Sequence, residues 1–364
     1  MSTLASPLPN VALPTQTAGV DWPTTEWPEG VQLTGDPERL AALLDPVFSV
    51  ESTPELAQSL AFIAVQGGRV VAERYAPGVD RDTTLISWSM AKSVTHALVG
   101  IAVRDGLLDT TAPARVPEWE DPSDPRHQIS VDDLLAMRSG LHFVEDYLDA
   151  DTSDCLEMLW GAGADDMAHY AASRPLEHPI GEVFNYASGT TNIISRLVAS
   201  IAAGRSDGTA GDPTQAEDAI ASFLQKQLFD PLGMRSATPK CDAAGTWVAS
   251  SYLYATARDF ARFGLLYLRD GVWEDARLLP AGWVDSARTL RSIEPTNGRG
   301  YGHQWWMPVG DDLGSFWANG YEGQRICCVP ALDLVFVRLG KTPAELGPQL
   351  DRFYRDVVAA FLPD

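Results

Sequence analysis

The feature that most constrains this chain is the tetrapeptide Ser89-Met90-Ala91-Lys92, which begins an apolar run that extends to Leu108. Apolar residues recur through the run at the spacing of an α-helix, and they lie on more than one side of it. A helix that is apolar on several sides is usually buried. The sequence therefore predicts a buried helix with a serine and a lysine at its start.

The spacing of Ser89 and Lys92 indicates a chemical role. Positions i and i+3 are neighbours on one face of a helix, and burial lowers the pKa of a lysine by disfavouring its ammonium form. A neutral lysine can take the proton of the serine hydroxyl and so activate the nucleophile. Because S-x-x-K also occurs by chance, the alternative is that Ser89 caps the helix and Lys92 is solvated. The apolar neighbours of Lys92 favour the buried pair.

Composition excludes several kinds of partner. The 364 residues are 45% hydrophobic and 21% charged, which is ordinary for a globular protein, and the formal net charge is −22. Such a charge argues against nucleic acid or an anionic membrane as a partner. The first 20 residues lack the features of a secretory signal, and no apolar run approaches the ~20 residues of a membrane span. We expect a soluble, cytoplasmic protein whose partner is a small molecule, and both a monomer and a homodimer stay open.

Nothing in the sequence calls for a metal or another cofactor. The cysteines Cys155, Cys241, Cys327 and Cys328 form no C-x-x-C or zinc-ligand spacing, and the six histidines show no H-x-x-x-H or H-E-x-x-H pattern. No phosphate-binding G-x-x-x-x-G-K-[ST] loop occurs. We expect reduced, packed thiols, with the side chains of Cys327 and Cys328 on opposite faces of a strand.

A second serine motif is a decoy. Residues 204–208 fit the pattern G-x-S-x-G, which in α/β-hydrolases needs a strand before the serine and a helix after it. Here the preceding segment, 194–203, has helical character, and a small, polar loop follows. We interpret the match as a chance occurrence in an exposed loop.

Two predicted hairpins lie far apart in the chain. Phe62–Val65 and Val70–Glu73 flank a glycine turn, and Gln324–Val329 and Leu334–Leu339 flank a Pro-Ala-Leu-Asp turn. Since neither pair makes a full sheet by itself, we expect both to join one antiparallel sheet.

The order of these elements predicts an α+β fold. Residues 1–50 are assigned to an N-terminal arm, residues 51–109 and 246–364 to a discontinuous α/β lobe, and residues 110–245 to an inserted, mainly helical lobe. A cleft between the two lobes is then the natural ligand site.

Two further stretches carry candidate chemistry. Tyr186, in Tyr186-Ala187-Ser188, could relay a proton to a leaving group if a nearby ammonium lowers its pKa; the alternative is a half-buried core tyrosine. The glycine-rich run 317–324 could bring one backbone N–H beside that of Ser89 to form an oxyanion hole. The alternative for this run is a plain glycine turn into an edge strand.

The three stretches, in this order and at these distances, resemble the motifs of the serine β-lactamase and penicillin-recognising fold over about residues 55–340. Ser89–Lys92 matches its S-x-x-K, Tyr186–Ser188 its Y-x-N/S element, and the segment around Ala318 lies at the place of its K-T-G. The resemblance implies a β-lactamase-like fold, in which an antiparallel sheet is flanked by helices.

Within that fold the chain is similar to the 6-aminohexanoate-dimer hydrolases and family VIII carboxylesterases. Glu145–Asp149 looks like the E-D-Y-x-D of the nylon-oligomer enzymes, Gln304–Trp306 like their Q-W-W, and Gly320–Gln324 like their G-I-H-G-Q. The resemblance implies a cofactor-free serine hydrolase that acts on small esters or linear amides through an acyl-enzyme.

Residue by residue, the resemblance implies three catalytic groups. Ser89 would be the nucleophile, Lys92 its general base, and Tyr186 the group that passes the proton to the leaving group.

It also implies three substrate-binding residues. Tyr147 matches a tyrosine that contacts the scissile amide in the nylon-oligomer enzyme, and Ser188 belongs to the Y-x-N/S element. The backbone N–H of Tyr321 would hold the oxyanion together with that of Ser89.

The chain departs from the family pattern at two places. The lysine of K-T-G is missing, with Ala318 in its place, which lowers the odds of β-lactam or D-Ala-D-Ala recognition. Ala249-Ser250-Ser251 stands where the nylon-oligomer enzyme carries an asparagine. The alternatives are a β-lactamase or D-alanyl peptidase that uses the same residues, and a non-catalytic ligand-binding member of the fold.

Overall fold

The computed structural model describes residues 11–363. The first ten residues of the assigned N-terminal arm lie outside the described residues. The strands of this part of the chain are β1 Gln58–Gln66, β2 Arg69–Tyr75, β3 Leu85–Ile86, β4 Thr238–Pro239, β5 Leu253–Ala255, β6 Val272–Trp273, β7 Ala276–Arg277, β8 Ser292–Ile293, β9 Gly300–Tyr301, β10 Trp306–Met307, β11 Phe316–Gly320, β12 Gln324–Val329 and β13 Leu334–Lys341.

The helices fall mostly between the two groups of long strands. They are α1 Pro37–Phe48, α2 Met90–Arg104, α3 Val131–Leu135, α4 Asp154–Trp160, α5 Met167–Ala172, α6 Ser188–Ala202, α7 Pro213–Leu224, α8 Asp230–Leu232, α9 Ala257–Leu268, α10 Trp283–Arg288 and α11 Gly347–Ala359. One π-helical turn, 225–229, follows α7, and short 3-10 turns occur at 117–119, 125–128, 321–323, 330–332 and 344–346.

The two predicted hairpins join one sheet, as expected. Within residues 11–363 the main sheet has eight strands in the order β2-β1-β13-β12-β11-β10-β9-β8, and all neighbours are antiparallel. The first strand pairs with the last, with Phe62 opposite Arg338. Since α3 to α8 are inserted between these two sets of strands, the predicted α+β, β-lactamase-like fold is confirmed.

Alternation along the strands gives the sheet two packed faces. On β1, Ala61, Ile63 and Val65 belong to the larger core, which includes α2, α6 and α9, whereas Phe62 and Ala64 belong to a smaller core formed with α1 and α11. Successive side chains of a strand point to opposite faces of the sheet, so a strand that is buried on both faces contributes alternate residues to two different cores. Cys327 and Cys328 likewise fall into different cores, which confirms the expectation that they lie on opposite faces.

The segment assigned to the N-terminal arm contains a helix. Asp36 caps α1 by accepting hydrogen bonds from the backbone N–H groups of Glu38 and Arg39. Leu40 and Leu44 of this helix are buried against the sheet. Within the assigned arm, residues 37–48 thus form an amphipathic helix that covers one face of the sheet.

The helix of the opening motif is buried as predicted. Thirteen residues of α2, Met90 to Ala102, are buried, and the chain turns at Gly106, which adopts a positive φ of 70°. The described residues contain no helix that combines the length and the apolar character needed to cross a membrane.

Candidate active site

Ser89 and Lys92 lie in contact at the start of α2. The Lys92 Nζ is 2.9 Å from the Ser89 Oγ, and the lysine is only 1% exposed. The Ser89 side chain makes no capping hydrogen bond to the helix. The alternative of a helix-capping serine beside a solvated lysine is therefore wrong.

The backbone in front of the serine is strained. Trp88 has a φ of +43°, in the left-handed region that a non-glycine residue with a bulky side chain rarely adopts. Its preceding neighbour, Ser87, is fixed by hydrogen bonds to the backbone of Ser251 and Leu253. Strain held in place by surrounding bonds is common at functional sites, and here it sets the point at which Ser89 enters the helix.

Two more oxygen atoms surround the lysine amine. The Nζ of Lys92 lies 3.0 Å from the Oγ of Ser188 and 3.0 Å from the carbonyl oxygen of Ser250. Burial lowers the pKa of Lys92, and the negative charge of Glu145 partly opposes this effect. As a neutral amine, Lys92 can donate its two N–H groups to these oxygens and accept the hydroxyl proton of Ser89 with its lone pair.

Glu145 accepts hydrogen bonds from two site residues, although the sequence analysis did not assign it to the site. Its carboxylate accepts hydrogen bonds from the backbone N–H of Ser188 at 2.7 Å, from the Ser188 Oγ at 2.6 Å and from the Tyr147 hydroxyl at 2.8 Å. Its signal in the sequence was its place two residues before Tyr147 in the E-D-Y-x-D stretch. The contact with Ser188 spans 43 residues of chain, which no local pattern reveals.

The Tyr186 ring lies against the lysine, and its acidity differs from expectation. The Lys92 Nζ is 4.9 Å from the centroid of the ring. Burial raises the pKa of Tyr186, the charge of Glu145 raises it further, and the Ser89 hydroxyl opposes the shift. The pKa of Tyr186 is therefore raised, and the lowering by an ammonium that was made a condition for proton relay is not found. A neutral phenol can donate a proton, and it does not act as a phenolate base near neutral pH.

Strand β11 brings the backbone of Tyr321 beside the start of α2. A Cβ atom on Gly320 would lie 2.4 Å from the carbonyl oxygen of Ser87, so only glycine permits this approach. The Tyr321 ring packs edge-on against Trp88 with centroids 5.8 Å apart. Because the run turns from β11 into β12, which pairs with β11 on one side and β13 on the other, the alternative of a turn into an edge strand is wrong.

Ser89 faces a large open cleft. The cleft has a volume of about 700 Å³, and Glu145, Tyr147, Tyr186 and Tyr321 line it together with the serine. Tyr147 lies at the mouth, where its ring is 39% exposed and packs against the Tyr321 ring at 5.2 Å between centroids. The structure thus brings together all six residues that the sequence analysis nominated, since Ser188 and Lys92 lie directly behind the serine.

The structure shows the surroundings of the two positions that depart from the family pattern. Ala318, at the place of the K-T-G lysine, is fully buried in the larger core and puts no charge into the cleft. Ser250 contributes its main-chain carbonyl to the lysine, while its hydroxyl lies 3.1 Å from that of Ser251.

The second serine motif and the cysteines do not line the cleft. Ser206 of the G-x-S-x-G stretch is exposed in the loop after α6, so that match is a decoy as predicted. Across residues 11–363, no group of three or more His, Cys, Asp or Glu side chains is arranged to hold a metal ion. The four cysteines are free thiols.

Comparison with known proteins agrees with the fold and with the class of site. The family model described as Beta-lactamase matches residues 53–361, and the chain therefore belongs to the β-lactamase family of serine hydrolases. The chain is 27% identical to the 6-aminohexanoate-dimer hydrolase of Paenarthrobacter ureafaciens over 322 residues, which cover 84% of this chain and 78% of that protein.

Solved structures show the same fold. A Bacillus anthracis protein assigned as a 6-aminohexanoate-dimer hydrolase has a TM-score of 0.72 at 22% identity, with 97% of this chain and 91% of that chain covered. A family VIII carboxylesterase has a TM-score of 0.62 at 12% identity, with 90% and 100% covered. The predicted resemblance is confirmed at the level of family and fold.

Proposed function

We propose that this protein hydrolyses small esters or linear amides through an acyl-enzyme on Ser89. The observation that carries the proposal is the contact between the Ser89 Oγ and the buried Nζ of Lys92, 2.9 Å apart and open to the cleft. A serine is a weak nucleophile until a base removes its proton, and a lysine whose pKa is lowered by burial supplies that base.

In the first half of the reaction, the Ser89 Oγ bonds to the substrate carbonyl carbon and its proton moves to the Nζ of Lys92. The carbonyl oxygen becomes an oxyanion, which the backbone N–H groups of Ser89 and Tyr321 would stabilise. When the intermediate collapses, the C–O or C–N bond breaks and the leaving group takes a proton from the Tyr186 hydroxyl. The Lys92 ammonium, which lies over the Tyr186 ring, restores that proton.

In the second half, water attacks the acyl carbon of the acyl-enzyme and passes its proton to the neutral lysine. The bond to the Ser89 Oγ then breaks, the oxygen regains its proton, and the carboxylic acid leaves. One water is consumed for each ester or amide bond, and no cofactor takes part in the balance.

Activity on β-lactams or on D-Ala-D-Ala is the less favoured alternative. The lysine of the K-T-G motif helps to hold the substrate carboxylate in β-lactamases, and here the buried Ala318 stands in its place. Turnover of nitrocefin at a rate comparable with that of a simple ester would favour the β-lactamase alternative.

Removal of the nucleophile tests the proposal. Ser89→Ala should abolish hydrolysis of p-nitrophenyl butyrate and labelling by a fluorophosphonate, and mass spectrometry of the wild type should place the adduct on Ser89. Ser206→Ala is the matched control, since Ser206 belongs to the decoy motif in an exposed loop. Undiminished turnover by Ser89→Ala would exclude the proposal, and a wild type that never labels would favour a non-catalytic member of the fold.

A further inference from the structure

Ser89 opens on a second cavity besides the large cleft. This small pocket has a volume of about 200 Å³ and shares Ser89, Tyr147 and Tyr321 with the cleft. Its other walls are mainly apolar. They consist of Trp88, Cys155, Leu156, Leu159 and Trp160, and Ser188 and Ser251 complete the lining. None of the described residues that line it carries a charged side chain.

The two cavities differ in their relation to Tyr186. This tyrosine lines the large cleft and does not line the small pocket. The leaving group must lie next to the group that protonates it, so the leaving group extends into the large cleft. The carbonyl carbon is bonded to the leaving group on one side and to the acyl chain on the other, and the acyl chain then points toward the small pocket.

We propose that the small pocket is the acyl site and that it selects substrates with a compact, apolar acyl group. This inference rests on the proposed function, because it assumes that Ser89 is acylated. At the ~30 Å³ that a water molecule occupies in the liquid, the pocket volume corresponds to about seven non-hydrogen atoms.

The walls provide a reason for apolar selectivity. Leu159 is buried, Leu156 is half-buried and Trp160 is 60% exposed, so a bound acyl chain would cover apolar surface that water now contacts. Burial raises the pKa of the Cys155 thiol, which keeps this wall neutral. An acyl chain with a terminal charge would lose its hydration here without gaining a partner.

A series of p-nitrophenyl esters from acetate to decanoate tests the proposal. Each buried methylene should raise kcat/KM about four-fold, the ratio expected from the transfer of one methylene out of water. The increase should stop near the hexanoate and reverse for longer chains. Leu156→Trp, which fills the pocket, should abolish the gain in kcat/KM from acetate to hexanoate.

Further variants make the result specific. Trp160→Ala removes an exposed wall, so it should lower hexanoate turnover several-fold relative to acetate without a change in folding. Leu107→Ala is the matched control, because Leu107 is 54% exposed and borders a different cavity. A parallel series of acetate esters with longer alcohols should respond equally in the wild type and in Leu156→Trp.

The outcomes separate the two proposals. If Leu156→Trp and Trp160→Ala keep the wild-type dependence on acyl length while a fluorophosphonate still labels Ser89, the acyl pocket is wrong and the proposed function stands. If Leu156→Trp instead depresses the esters of long alcohols, the orientation is reversed and the inference fails. A wild type that neither labels nor hydrolyses any ester overturns both.

Discussion

The Glu145 carboxylate holds Ser188 through two hydrogen bonds, at 2.7 Å from its backbone N–H and 2.6 Å from its Oγ. The same Ser188 Oγ lies 3.0 Å from the Nζ of Lys92. A negative charge is thus linked to the buried lysine through one hydroxyl. Hydrogen bonds to a charged acceptor are shorter and stronger than neutral ones, so this contact fixes Ser188 and raises the proton affinity of the lysine.

Replacement of that charge should shift the pH dependence of the reaction. Glu145 raises the pKa of Lys92, so Glu145→Gln should lower it and move the acid limb of the kcat/KM profile to lower pH. The plateau should fall about 10-fold or more, because the amide cannot accept both bonds from Ser188. Glu182→Gln, at an exposed position, is the control. An acid limb that stays in place or moves upward contradicts this link.

Tyr186→Phe should lower the rate of hydrolysis most for substrates with the most basic leaving groups. The ring would keep its packing against Trp306, at 5.3 Å between centroids, and only the hydroxyl is lost. Turnover of alkyl esters and amides, whose leaving groups need a proton, should fall by about 10²–10⁴. Turnover of p-nitrophenyl esters, whose leaving group departs as an anion, should fall far less.

The comparison of leaving groups has an internal control. Tyr301→Phe removes a hydroxyl from the ring that packs against Tyr186 at 5.9 Å between centroids, and Tyr301 does not line the cleft. This variant should leave the ratio between alkyl and p-nitrophenyl esters unchanged. An equal loss on both classes in Tyr186→Phe would mean that Tyr186 is not the proton donor.

Gly320→Ala should separate the two proposed oxyanion donors. The added Cβ would meet the Ser87 carbonyl oxygen at 2.4 Å, a backbone atom that can yield only if β11 and the start of α2 move apart. Loss of one oxyanion donor typically lowers kcat by about 10²–10³, and affinity for a boronic acid, which mimics the tetrahedral intermediate, should fall in parallel. Gly347→Ala has open space at its Cβ and serves as the control. Unchanged boronate affinity in Gly320→Ala would place the oxyanion elsewhere.

The sequence predicted the parts of this molecule that depend on local patterns. The apolar period after Ser89 predicted a buried helix, and a glycine turn and a Pro-Ala-Leu-Asp turn predicted two hairpins that join one sheet. Local contacts also fix the start of α3, where the hydroxyl of Ser130 accepts a hydrogen bond from the N–H of Asp133 in a capping box.

Features that depend on contacts distant in sequence were not predictable in this way. The carboxylate of Glu145 meets Ser188 only because the loop before α4 folds over the start of α6. The pKa of Tyr186 follows burial by side chains such as Trp306 rather than its motif. The helix at residues 37–48, within the assigned arm, was not predicted, because its packing partner is a sheet formed later in the chain.

Two buried histidines, His96 on α2 and His303 beside it, should make the protein sensitive to acid. The rings of His96 and His303 lie 6.3 Å apart between centroids, and His96 also contacts the hydroxyls of Tyr267 at 2.7 Å and Ser286 at 3.3 Å. Burial lowers the pKa of His96 well below its ordinary value and that of His303 to about 4, although Asp132 faces His303 at 3.4 Å.

Both histidines bind protons more readily in the unfolded chain, where the pKa of a histidine is about 6.5. Their neutral forms therefore support the fold above pH ~6.5, and this support is lost as the pH falls toward about 4. For His303 alone the free energy of unfolding should drop by ~2 kcal/mol between pH 7 and 4.5, since one pKa unit corresponds to ~1.4 kcal/mol. Urea unfolding across this range measures the slope, which His303→Gln should flatten. His178→Gln, with a side chain that is 41% exposed, should keep the wild-type slope, and an equally steep slope in His303→Gln would assign the acid sensitivity to other groups.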